Sequence, residues 1–62
     1  MKYSELEKKL KSMGCYEDGV RNGHPLWYSP ITGNLFKMSH HKSQEVKPGT
    51  LKSILNLSGV EL

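Results

Sequence analysis

The sequence has too little cysteine to be stapled. Its one thiol, Cys15, excludes an intrachain disulfide, which suits a reducing cytosol. It also lacks any apolar run long enough to cross a bilayer. No secretory leader is visible, because Met1-Lys2 runs straight into a charged, helix-like segment. The expectation is a cytoplasmic protein with no membrane partner. Internal repeats and low-complexity tracts are missing too. Length is also short: 62 residues make one domain, spanning 1–62. A chain of this size buries only about 60% of its unfolded surface and is marginal alone, so a partner or an oligomer would help it. Acidic residues are outnumbered, six against nine Lys and Arg, for a formal charge of +3. That excess is compatible with a polyanionic partner, but many small proteins are equally basic.

What is present reads as five elements. Ser4-Glu5-Leu6-Glu7 has the pattern of a capping box, with Ser4 as N-cap and Glu7 returning the bond. Tyr3, Leu6, Leu10 and Met13 then make an apolar stripe at spacings of three and four. Gly14 is placed to end the helix. In "CYEDGVR" the residues Cys15, Tyr16 and Val20 favour a strand, and Asp18-Gly19 marks a bulge. Asn22-Gly23 is a hairpin signal, since both residues tolerate positive φ. "HPLWYS" is a second strand with Pro25 near its start, "SPITGN" a turn, and "LFKMS" a third strand with Phe36 and Met38 on one face and Lys37 on the other. "HHKSQEV" reads as a polar loop. The last helix starts at Pro48, presents Leu51, Ile54 and Leu55, and stops at Gly59. The expected class is α+β, in the order α-β-β-β-α. Two amphipathic helices cover one face of a three-stranded antiparallel sheet and leave the other open.

This order, together with "HHKSQEVKPGTLKSIL" at residues 40 to 55, resembles the HicA family of mRNA interferase toxins of type II toxin–antitoxin systems. Members carry a similar run, matched here by His41, Glu45, Lys47, Pro48, Gly49, Thr50, Leu51, Lys52, Ile54 and Leu55. The resemblance covers nearly the whole chain. It implies a double-stranded-RNA-binding-domain-like fold, mRNA as substrate, no cofactor or metal, and neutralisation by a HicB-type antitoxin. The family's catalytic histidine sits in a Gly-Ser-His pattern, and the matching residues are Asn22, Gly23 and His24. Asn22 and Gly23 depart from that pattern. Pro25 stands where members often have a second histidine, and Gly19 where many have an arginine.

His24 read as a residue alone is a polar hairpin position; the resemblance makes it the catalytic group. RNA is cut without metal when a base takes the ribose 2′-OH proton, that oxygen attacks the adjacent phosphorus, and an acid protonates the leaving 5′-oxygen. An unperturbed imidazole titrates at about 6.5 and suits either role. Charge developing on the phosphate needs cations, for which Arg21, Lys37 and Lys42 are the candidates, Arg21 as a cross-strand neighbour of His24. His40 and His41 fit no standard zinc spacing and read as a solvated or hydrogen-bonded pair. By the resemblance His41 supports the site or fixes the loop, and is not the catalytic group. Trp27 has the parity opposite to His24 and belongs to the core. Tyr28 shares the His24 face and either stacks on a base or packs on the surface. Lys47 and Lys52 are solvated charges or phosphate contacts, and Cys15 is a small core residue.

Three functional classes follow, the third being a pure protein-interaction module. One is a metal-independent endoribonuclease toxin acting through His24. The alternative is a non-catalytic RNA-binding module of the same fold, which reads phosphates and 2′-hydroxyls without needing a histidine.

Overall fold

The computed structural model describes residues 1–62. Helix α1 (Tyr3–Ser12) is followed by strands β1 (Tyr16–Arg21), β2 (His24–Tyr28) and β3 (Leu35–Lys37), and helix α2 (Pro48–Ser58) closes the chain. The strands form an antiparallel meander in the order β1-β2-β3. The expected α-β-β-β-α architecture is the observed one.

Strand parity decides which face is buried. Pro25 and Trp27 of β2 are buried, as are Phe36 of β3 and Met38 just beyond it. Trp27 pairs with Phe36 across the ladder. Leu6 and Leu10 of α1 and Ile54 of α2 join Trp27, Phe36 and Met38 in one core cluster, with Cys15, Val46 and Val60 at its margins. Lys11 lies over the Trp27 ring, 5.8 Å from its centroid, which covers the indole with a cation. His24, Leu26 and Tyr28 project to the opposite face, as the period of two requires.

Loops cap the two helix ends that need it. The first N–H groups of a helix have no partner inside it, and the Ser4–Glu7 box was expected to supply one. The helix instead starts two residues earlier. Its N-cap is Lys2, whose N–H donates to Glu5 Oε1 at 3.0 Å. The N–H groups of Tyr3 and Ser4 donate to the carbonyls of Gln44 and Lys42, at 3.1 and 2.9 Å. The docked loop thus takes the role predicted for the Ser4 hydroxyl. Glu7 is buried against Lys42 rather than folded back over the helix start. At the other end, the Cys15 N–H donates to the Leu10 carbonyl and the Gly14 N–H to the Lys11 carbonyl, with Gly14 at φ 94°. This is a Schellman close. Met13, expected on the buried stripe, is the C-cap residue and half exposed, because the chain has already left the helix there.

The C-terminal carbonyls of α2 are gripped by the β2–β3 loop. Ser29 Oγ donates to the Ser58 carbonyl, and Thr32 Oγ1 and Asn34 Nδ2 both donate to the Leu57 carbonyl. Gly59 ends α2 at φ 72°.

The first hairpin is the feature that serves the site. Asn22 and Gly23 take φ 53° and 78°, the signature of a two-residue type I′ turn. Between the pairs Glu17↔Trp27 and Val20↔Pro25 the register shifts, so Asp18 and Gly19 together oppose Leu26. The two-residue turn puts Arg21 opposite His24, on the same side of the sheet, and the extra residue of the bulge sets the pairs beyond it, Glu17 with Trp27 and Tyr16 with Tyr28. All six residues of β1 are exposed, so this arm of the hairpin is the open edge of the sheet.

Candidate active site

His24 is the first residue of β2, immediately after the Asn22-Gly23 turn. Lys37 is the last residue of β3, with its parity opposite to buried Phe36 and Met38. Past β3 the chain runs through Ser39 and His40 into the loop that carries His41, Gln44, Glu45 and Lys47. These segments enclose a shallow cleft of about 400 Å³, lined by His24, Lys37, His41 and Lys47 together with Tyr3, Ser39, Gln44, Glu45 and Thr50. Residues 17 apart in sequence, His24 and His41, therefore share one small space.

The loop holding His41 is pinned by backbone bonds. Besides the two caps on α1, the Val46 N–H donates to the Met1 carbonyl at 2.9 Å, and Lys2 and Glu45 form an isolated antiparallel bridge. The His41 N–H donates to Ser39 Oγ, and the His41 carbonyl accepts from the Gln44 N–H. The orphaned donors of α1 thus fix the position of a loop that carries four cleft residues, His41, Gln44, Glu45 and Lys47.

The electrostatics favour an anion. Lys37 and Lys47 bring two cations to the cleft. Glu45 is the one acidic lining residue, and its carboxylate accepts from the Met1 ammonium at 2.8 Å. That hydrogen bond, with the ammonium's charge, holds the Glu45 carboxyl below its ordinary range and raises the Met1 ammonium in return. No side chain caps the start of α2, so the partial positive charge of that helix end lies beside the cleft that Thr50 lines.

Arg21 lies in a neighbouring groove of about 560 Å³ between α2 and the open sheet face, lined also by Leu26, Leu35, Lys37, Thr50 and Leu57. Lys37 and Thr50 belong to both clefts, so Arg21 and His24 flank a continuous surface. Three sequence candidates are not brought in. Lys42 points to Glu7, 3.5 Å away, and lines neither cleft. Tyr28 packs against Tyr16, with ring centroids 5.5 Å apart, and also lines neither. Lys52 is exposed on α2 away from both. Lys47 does line the cleft; from sequence it was equally readable as a solvated charge. His40, expected as one of a solvated or hydrogen-bonded pair, has its Nε2 2.6 Å from the Gly23 carbonyl oxygen, at the turn before His24. No three of the His, Cys, Asp and Glu side chains group closely enough to hold a metal ion.

The sequence model of the family described as HicA toxin of bacterial toxin–antitoxin systems matches residues 3–60. No curated protein and no solved structure matches the chain.

Proposed function

Because the chain belongs to the HicA toxin family, whose members are generally ribonucleases, we propose that it cleaves mRNA at the His24 cleft without a metal and so inhibits translation. The observation that carries the reading is the convergence of His24, His41, Lys37 and Lys47 on one small cleft. Its charge suits a backbone phosphate.

The chemistry follows from those groups. The 2′-oxygen attacks phosphorus while its proton passes to one imidazole. The bond from phosphorus to the 5′-oxygen breaks as the second imidazole gives that oxygen a proton. The products are a 2′,3′-cyclic phosphate and a free 5′-hydroxyl. His24 performs one of the two transfers, and His41, the other imidazole lining the cleft, performs the second. Such a transfer contributes about 10² to 10⁴ in rate. Lys37 and Lys47 offset the charge that builds on the phosphoryl oxygens. Arg21 contacts the neighbouring phosphate along the shared surface, while Lys42 and Tyr28 play no part in the reacting centre. A HicB-type antitoxin neutralises the protein by covering this surface. It also protects a domain whose size leaves it marginal alone.

The test is cleavage of a 5′-labelled RNA in EDTA by the parent chain, His24→Ala and His41→Ala. Both variants are expected to fold, since both residues are exposed. His24→Ala should lose at least about 10²-fold in rate. Parental cleavage by His24→Ala would refute the assignment. A parent chain that binds RNA tightly but cuts none would favour the non-catalytic module.

A further inference from the structure

We propose that His40 is a positioning residue for His24, acting through the carbonyl of Gly23. The proposal rests on the reading of His24 as a proton-transfer group, and it concerns how that group is held.

The tip of the first hairpin has little beneath it. Arg21, Asn22, Gly23 and His24 are all exposed, and Gly23 has no other atoms within 4 Å of where its Cβ would lie. Packing reaches the strand at buried Pro25 but not the tip itself, and so does not fix the orientation of the Gly23–His24 peptide. Pro25, immediately after His24, has no N–H to add to the ladder. Outside the strand ladders, the hydrogen bonds that tie this stretch to the rest of the chain come from one segment. The Met38 N–H donates to the Pro25 carbonyl at 2.9 Å, and His40 Nε2 reaches the Gly23 carbonyl at 2.6 Å. No other side chain hydrogen-bonds to residues 21–25.

A carbonyl only accepts, so His40 Nε2 carries the proton and donates. The carbonyl it holds belongs to the peptide unit whose N–H is that of His24. Fixing that plane fixes the direction in which the His24 Cα–Cβ bond leaves the turn. Gly23 is otherwise the freest residue at the tip. His40 is also the residue before His41. One side chain thus spans the two walls of the cleft, the strand start that presents His24 and the loop that presents His41. Displacing a reacting group by 1 Å is enough to cost about 10²-fold in rate, and an exposed hairpin tip without this brace has freedom on that scale.

The experiment compares kcat and KM for RNA cleavage in the parent chain, His40→Ala, His40→Leu, His40→Gln and His24→Ala, with the His24 imidazole resonances followed by NMR. His40→Ala and His40→Leu should lower kcat by about 10-fold or more, within the cost of such a displacement, and leave KM near the parental value. Their His24 ring signals should broaden or split. His40→Gln carries an amide N–H donor of similar reach and should recover most of the loss. The circular dichroism and the unfolding midpoint should not change in any of the three, because His40 is exposed. Parental kcat in His40→Ala, beside an inactive His24→Ala, would overturn the positioning role alone. A rise in KM with kcat unchanged would overturn it in favour of an RNA contact. Equal loss in His40→Gln and His40→Ala would overturn it in favour of proton transfer by His40 itself. Activity retained in His24→Ala would instead remove the reading on which the proposal stands.

Discussion

Replacing Gly59 by alanine separates two costs that are usually merged. Gly59 and Gly33 have nearly the same backbone, φ 72° and 75°. An L residue in the left-handed region costs about 1–2 kcal/mol. The stiffer unfolded chain changes stability by about 0.4–1 kcal/mol in the opposite sense to that strain, so Gly33→Ala should lose about 1 kcal/mol. A Cβ at Gly33 meets nothing within 4 Å. A Cβ at Gly59 would lie 2.8 Å from Thr32 Cγ2 and 2.9 Å from Ile31 Cγ2. Neither neighbour can yield easily. Both are β-branched and stiff at χ1, and Thr32 is held by its hydroxyl on the Leu57 carbonyl. Overpacking of this kind costs about 1–3 kcal/mol, which brings Gly59→Ala to about 2–4 kcal/mol. A 62-residue chain at about 0.05–0.15 kcal/mol per residue has only about 3–9 kcal/mol in all. The assay is urea unfolding followed by Trp27 fluorescence. With a slope of about 1 kcal/mol per molar, the Gly59→Ala midpoint should fall about 1–3 M below that of Gly33→Ala. Equal midpoints would mean that the loop moves aside freely, and that the grip of Ser29, Thr32 and Asn34 on α2 contributes little.

Two other outcomes test the site's electrostatics. RNA affinity should fall with salt, and Lys37→Ala should reduce the slope of log K against log salt by about 0.7, the value for one phosphate contact on a single strand. An unchanged slope would move the RNA off the face that Lys37 shares with His24. The Glu45 carboxyl should titrate below its ordinary 4.5 and the Met1 ammonium above its ordinary 8.0. The lowered carboxyl contributes stability above 4.5 that is lost as pH falls through its folded value, and the raised ammonium contributes stability below 8.0 that is lost as pH rises through its own. Their mutual support is therefore complete between those two pH values. NMR titration of the Glu45 carboxyl before and after acetylation of the Met1 amine checks this, and the same midpoint in both would show that the ammonium is not the cause.

Local signals in the sequence determined the elements and much of the parity. Asn22-Gly23 can be read as a type I′ turn because few other residue pairs tolerate two positive φ values. Pro48 and Gly59 bound α2 for reasons that lie in their own covalent geometry. Trp27 and His24 are assigned to opposite faces by counting alone. The run from His41 to Leu55 pointed to the family that the whole chain matches over residues 3–60. What depends on distant partners was not legible. Ser4 has the chemistry of a cap, but the carbonyls of Lys42 and Gln44 reach the helix start first. Lys42 looked free for phosphate because nothing near it in sequence announces Glu7, and Tyr28 looked free to stack until Tyr16 came across the ladder. His40 and His41 are adjacent and chemically alike, and only the family resemblance singled out His41. Folding the loop back across the start of α1 sends one to the Gly23 carbonyl and the other into the cleft with His24. Which residues share a site is a matter of long-range closure, and only the tertiary structure brings those ends of the chain together.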